Sequence, residues 1–295
     1  MGGGAGGELI VDFEAIRTLV IQALFSDDVL TEHLVLKGGN ALDLVYHIID
    51  RGSLDVDCSI EGEFDDVADI ERRIFSALER TFQTHRVAIF DRAFSVVPPV
   101  HGTDPFPWWG GYVAEFKLIE QAKYAAHSSN LAKLQREALP IDASQLRTFR
   151  IDISKHEYCR DKVKREIAEQ AIYVYSEEMC VFEKYRSLCQ QMPQYQATMH
   201  RKGSPRGRDF YDIYATITRR GLDIALPENL ELCREVFAAK RVPLELVAQL
   251  PTTREFHRPD WDAVLVTIEG DIAEFDFYFD FVVNEANKLK PLWDV

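Results

Sequence analysis

The chain has 295 residues, 46% hydrophobic and 28% charged, a globular composition with room for one large core or two ordinary ones. Its net charge of −14 argues against a general nucleic-acid coat, which needs clustered cations. No apolar run reaches the ~20 residues that span a bilayer, and five scattered cysteines without a C-x-x-C pair read as reduced thiols of a cytoplasmic protein.

The opening MGGGAGGELIVDF lacks the basic and apolar regions of a signal peptide and reads as a flexible lead. Residues 8–30 carry helical periodicity, with Ile10, Phe13, Ile16, Leu19, Val20 and Leu24 on one face. HLVLKG (33–38) is a short apolar strand, and Asn40 to Ile49 reads as a helix with Asn40 as its N-cap. SLDVDCSI (53–60) alternates strictly, with Leu54, Val56 and Cys58 opposite Ser53, Asp55 and Asp57. An amphipathic helix over 65–82 precedes strand-like segments at 85–97, 111–120 and 147–154, with helix over 120–138 and a long hairpin connection at 96–111. Beyond residue 170 the pattern turns helical, at 177–192, 208–221 with Gly221 as C-cap, 228–240, 243–250 and 271–290. Two basic stretches, RDKVKR (160–165) and RKGSPRGR (201–208), read as solvated loops, the second exposed and mobile.

The chemistry concentrates between residues 36 and 60. Gly38-Gly39 stands between a strand and a helix, where glycine lets a phosphate approach unpaired backbone N–H groups at a helix start. Asp55 and Asp57 alternate on a strand, so both carboxylates leave one face. Mg²⁺ is commonly held by one or two carboxylates plus substrate phosphates, and two such ions can clamp an in-line displacement. A third carboxylate would come from Asp152 in FRIDIS or from Glu115 in VAEFKL, with Asp152 favoured. Lys184 borders the apolar stripe of Val181, Tyr185 and Leu188, so its ammonium could reach a triphosphate or its stem could cover apolar surface. Asp209 and Asp212, three apart on a helix, share a face. The P-loop, zinc, nucleophile-elbow, dinucleotide and protein-kinase signatures are all missing from the sequence.

KGGNALDLVY…RGSLDVD resembles the opening motif of the AbiEii/AbiGii toxin family, within the DNA polymerase β-like nucleotidyltransferases. Lys37, Gly38, Gly39, Ala41, Leu42, Arg51, Ser53, Asp55 and Asp57 match its Lys-Gly-Gly, Ala-Leu and Arg-x-Ser-x-Asp-x-Asp positions. MCVFEKYRSL is similar to the helix that carries the family's essential lysine, here Lys184. RGRDFYDIY is similar to its Arg-Asp-x-x-Asp helix, giving Arg208, Asp209 and Asp212. The likeness spans residues 33–220; Asn40 stands where the family usually has Thr or Ser, Asp50 is atypical, and the helices beyond 225 match nothing in it.

The resemblance implies an α+β fold: a polymerase β-like core with a mixed sheet at 8–165, then an all-helical C-terminal domain at 166–295 that contributes Lys184 and Asp209/Asp212 to the cleft. It implies Mg²⁺ on Asp55 and Asp57, catalytic roles for these two with Asp152, Lys184, Asp209 and Asp212, and nucleotide contacts from Lys37, Gly38, Gly39, Arg51, Ser53 and Arg208. The implied activity is transfer of NMP from an NTP to a cellular acceptor such as a tRNA 3′ end. The implied setting is a toxin–antitoxin or abortive-infection system, with a cognate antitoxin encoded nearby. The competing expectation is a catalytically silent nucleotide-binding or interaction module of the same fold.

Overall fold

Strands β1 (Val35–Leu36), β2 (Val56–Ser59), β3 (Val87–Val97), β4 (Gly111–Glu120), β5 (Thr148–Ser154), β6 (Val163–Ile167) and β7 (Gln170–Val174) form one sheet in the order β3-β4-β5-β2-β1-β7-β6. This is a computed structural model, which describes residues 13–49, 55–99, 106–141, 145–265, 268 and 272–294. The sheet is mixed: β2 runs parallel to β5 and β1 to β7, while the β1–β2, β3–β4, β4–β5 and β6–β7 pairs are antiparallel.

The alternation read in the sequence places the side chains. On β5, Phe149, Ile151 and Ile153 are buried while Arg150, Asp152 and Ser154 are half-buried on the other face. On β2, Val56 and Cys58 are buried and Asp57 lies opposite. Helices α1 (Phe13–Phe25) and α2 (Val67–Thr84) cover the sheet's apolar side. Helix α2 starts where the Asp66 carboxylate accepts from the Asp69 N–H at 2.9 Å, and it buries Ile70, Ile74, Phe75, Leu78 and Phe82 at helical spacing.

The C-terminal half is helical. Helix α3 (Glu177–Cys189) is capped by Ser176, whose hydroxyl accepts from the Met179 N–H at 3.2 Å. Helices α4 (Gly207–Arg220) and α5 (Pro227–Ala239) pack on it, and α6 (Phe275–Ala286) packs on α4. Gly221 closes α4 in the left-handed region at φ 62°. One apolar cluster runs from Ile16 through both halves to Leu292.

The strand content passes residue 165, because β7 (Gln170–Val174) lies inside the sheet between β1 and β6. The RDKVKR stretch, expected as a loop, enters β6 at Val163. This hairpin escapes a sequence reading because its two turn residues, Ala168 at φ 45° and Glu169 at φ 68°, are neither Gly nor Asn. The expected helix over 40–49 is a single turn, Gly38–Asn40, followed by a π-helical stretch, Ala41–Val45. Asn40 is therefore inside that turn and Lys37 takes the cap position.

His257, in the short helix Arg254–His257, is fully buried; its Nδ1 accepts from the Arg206 N–H at 3.1 Å, and its ring packs on Phe210. Burial pulls its pKa down to about 4, partly opposed by Asp209. The folded protein thus keeps His257 neutral while the unfolded chain takes a proton near pH 6.5. Stability is expected to fall as pH drops from about 6.5 to 4, by up to about 3 kcal/mol from this group. Thermal melts of wild type and His257→Gln at both ends of that window test this. Equal acid losses in the two proteins would show that another group titrates.

Candidate active site

Lys37 closes β1, and its N–H donates to the Asp57 carbonyl at 2.9 Å, so the chain turns at Gly38 directly over β2. Gly38 has φ +69°, and a Cβ there would lie 2.8 Å from the Asp57 Oδ2 atom. Only glycine lets this backbone lie against the carboxylate without both strain and collision. Gly38→Ala is expected to lose about 1–3 kcal/mol of stability and to displace Asp57. An unchanged melting temperature would refute that.

The turn is held from behind. The buried Arg17 donates from NH1 to the Asn40 Oδ1 and Asp43 Oδ2 atoms, each at 2.9 Å. Asn40 in turn donates to the Asp55 carbonyl at 2.6 Å. Asn40, the departure from the family motif, thereby ties the glycine turn to the start of the aspartate strand.

Asp57 lies in β2 and Asp55 one residue before it, both half-buried. Asp152 pairs in register with Asp57 on the parallel neighbour β5, so it joins the same face. Glu115, the competitor, is on that face one strand further away, in register with Arg150 on β5. Burial pushes the Asp57 carboxyl up to about 7, with Asp152, Glu183 and Asp55 adding to the rise and Lys37 opposing it. Asp55 is also raised, by burial and then by Asp152. Crowded carboxylates of this kind are relieved by a cation. Arg150 already clasps Asp152 through two bonds, at 2.7 and 2.8 Å. Among the described residues no group of three or more His, Cys, Asp or Glu side chains is gathered to hold a metal. Asp55 and Asp57 supply oxygen donors suited to a hard divalent ion whose other ligands come from elsewhere.

Across from this strand, Lys184 is 5% exposed, so it does not snorkel at a surface margin. Its Nζ donates to Asp212 at 2.6 Å and to Asp209 at 3.1 Å. Asp209 also accepts from the Arg206 guanidinium, and the two cations, Arg206 before Lys184, overcome burial to hold its carboxyl well below the usual range. A cavity of about 410 Å³ lies between the layers, within the range of small-molecule sites. It is lined by Lys37, Gly38, Gly39 and Asp57 on the sheet side and by Lys184 and Asp209 on the helical side.

Of the residues singled out in the sequence, the exposed Arg208 also lines this cleft, while Asp212 is fully buried behind Lys184. Asp152 lines an adjoining cavity. Arg51 and Ser53 lie outside the described residues. Sequence reasoning missed Arg206, which grips Asp209 from three residues upstream, and Glu183, which lines both cavities. The RKGSPRGR stretch is irregular up to Arg206, the residue before α4, with Arg201, Lys202, Ser204 and Pro205 exposed.

A glycine turn against an Asp-x-Asp strand, faced by a lysine from a helical layer, is an arrangement suited to nucleotidyl transfer, and the protein is a nucleotidyltransferase. The family model described as "Nucleotidyl transferase AbiEii toxin, Type IV TA system" matches residues 20–281, and the chain belongs to that family. Among solved structures it is similar to an antigenic nucleotidyltransferase-like protein from Paracoccidioides brasiliensis, at 14% identity and a TM-score of 0.38, over 88% of this chain and 94% of that one. No curated protein matches the sequence. Among the described residues no helix is long and apolar enough to cross a membrane.

Proposed function

We propose that the cleft binds an NTP with Mg²⁺ and transfers its nucleotidyl group to an RNA hydroxyl, such as a tRNA 3′ end, as the toxin of a toxin–antitoxin pair. The observation that carries this reading is the Asp55/Asp57 strand lying against the Gly38-Gly39 turn, with Lys184 and Asp209 across a nucleotide-sized cavity. Asp55 and Asp57 would hold Mg²⁺, which when bound neutralises phosphate charge and polarises the α-phosphate. The N–H groups of the glycine turn cradle phosphate oxygens, and Lys37 and Lys184 supply positive charge on either side of the cavity. Arg208 extends that charge toward solvent. The acceptor's 3′ oxygen bonds to the α-phosphorus, the bond from that phosphorus to the bridging oxygen breaks, and pyrophosphate leaves with the electron pair. The hydroxyl proton passes to Asp152, the third carboxylate on the face. A cognate antitoxin would counter the activity.

The test is incubation with each labelled NTP in turn, Mg²⁺ and total RNA. Label on RNA that is lost with a chelator is the expected result. No transfer from any NTP to any acceptor would leave only a nucleotide-binding or interaction module.

A further inference from the structure

Glu183 precedes Lys184 on α3, and its side chain, 15% exposed, lines both the cleft and the adjoining cavity of about 250 Å³. One of its oxygens is fixed: Oε1 accepts from the Ser187 hydroxyl at 3.1 Å and from Arg186 at 3.5 Å. Among the described residues Oε2 has no partner, and it opens on the cavities. Arg186 does not depend on this carboxylate. It is paired at 2.6 Å with Glu157, the buried acid that also takes Lys37 at 3.5 Å and Lys240 at 3.6 Å, and it donates to the Val236 carbonyl at 3.1 Å. An oriented carboxylate with one free oxygen therefore faces a site suited to a polyanion. Such a group repels phosphate, and it is matched by a part of the ligand that donates hydrogen bonds.

The order of the two cavities identifies that part. Lys37 and Glu183 are the lining residues they share, so Glu183 stands at their boundary. Gly38, Gly39, Lys184 and Arg208 line only the first, while the apolar Val97, Trp109 and Val113 line only the second. A nucleotide runs in the same order, charged phosphates, then sugar, then aromatic base. One laid across both cavities sets its sugar at Glu183. Sugar hydroxyls are donors, and an acidic side chain takes a ribose hydroxyl in just this way in dinucleotide-binding folds.

We propose that Glu183 holds a ribose hydroxyl of the incoming nucleotide and selects ribonucleoside triphosphates over their deoxy counterparts. Ser187 and Arg186 orient the carboxylate through Oε1, and Oε2 receives the hydroxyl. This rests on the NTP site proposed above and adds the residue that recognises the sugar.

The test is calorimetric titration of the whole protein, with Mg²⁺ and without RNA, against each of the four NTPs and its 2′-deoxy and 3′-deoxy forms. Wild type binds the preferred NTP more tightly than one of its deoxy forms by about tenfold or more, and the weakened form identifies the hydroxyl. Glu183→Ala reduces that ratio to about threefold or less. A residue that touches the hydroxyl couples to its removal, whereas one that only braces α3 does not. Glu183→Asp keeps a charge beside Arg186, withdraws the oxygen by one methylene and loses the preference too, so the test stays open if Glu183→Ala fails to fold. Persistence of the ratio in either folded variant, or a wild type that binds NTPs and deoxy forms alike, would overturn this inference alone. So would weakening of all three ligands by one factor that added Mg²⁺ restores, which would make Glu183 a metal ligand. Failure of wild type to bind any of these nucleotides would overturn the underlying reading with it.

Discussion

Asp57→Asn is expected to abolish nucleotide transfer, by at least about a thousandfold, while the protein melts at the same or a higher temperature. On the proposed reading, the variant would lack one of the carboxylates that hold Mg²⁺. Charge stabilisation by such an ion is worth several kcal/mol, and each ~1.4 kcal/mol is tenfold in rate. The stability effect has the opposite sign. Burial, with Asp152, Glu183 and Asp55 nearby, pushes the Asp57 carboxyl up to about 7. An acid held above its unfolded value of about 3.9 keeps its proton longer in the folded state. Its ionisation therefore destabilises the fold increasingly as pH rises from about 4 to 7, and the whole penalty is present at pH 8. Asparagine keeps the shape and removes the charge. Melting at pH 8 with and without Mg²⁺ and NTP separates the two effects. Wild type gains stability from the ligands, and the variant starts as stable or more so and gains little. Transfer at wild-type rate in Asp57→Asn would discard the metal assignment, and a large drop in melting temperature would mean the carboxylate is structural.

How far this site could be read from the sequence depends on what each feature needs. The aspartate face was legible because a period of two survives in a short strand: Asp57 and Asp152 alternate with Val56, Cys58, Ile151 and Ile153, which are buried. The parallel pairing that sets Asp57 beside Asp152 was not legible, because strand order is a tertiary fact. Gly38 was visible as a turn, but its collision with Asp57 was not, since only the β1–β2 register brings them together. Asn40 read as a cap because capping is its commonest local use, yet Arg17 and the Asp55 carbonyl, distant in sequence, decide its role. The cluster of Lys37, Glu157, Arg186 and Lys240 draws on the residue after β1, the loop after β5, α3 and the residue after α5. Each member alone is an ordinary surface-type charge, so no window of sequence could reveal their convergence. The β6–β7 hairpin fails for a different reason, its turn lacking the residues that mark such turns.

Lys184→Met is expected to lose transfer by about a hundredfold or more and also to lower stability by about 3–5 kcal/mol. From the sequence alone, a lysine at the edge of an apolar stripe should tolerate methionine without melting earlier. The structure reverses that expectation. Lys184 is buried between Asp209 and Asp212, and removing its charge takes the 2.6 Å pair from a carboxylate that is fully buried. Asp209 keeps the Arg206 guanidinium, while the fully buried Asp212 loses its bond to the lysine. That asymmetry supplies the means to separate the two roles. In Lys184→Met/Asp212→Asn the second substitution removes the buried Asp212 charge and leaves the Thr216 hydroxyl bonded to the residue-212 backbone carbonyl. If Lys184 both fastens α3 to α4 and carries charge to the NTP, the double variant regains most of the melting temperature and stays inactive. If the lysine only fastens helices, transfer returns with stability, to within about threefold of wild type, a difference below ~0.7 kcal/mol. The outcome turns on whether the Lys184 charge serves only the carboxylates beneath it or also the cavity it lines, and only the second case makes it part of the reaction.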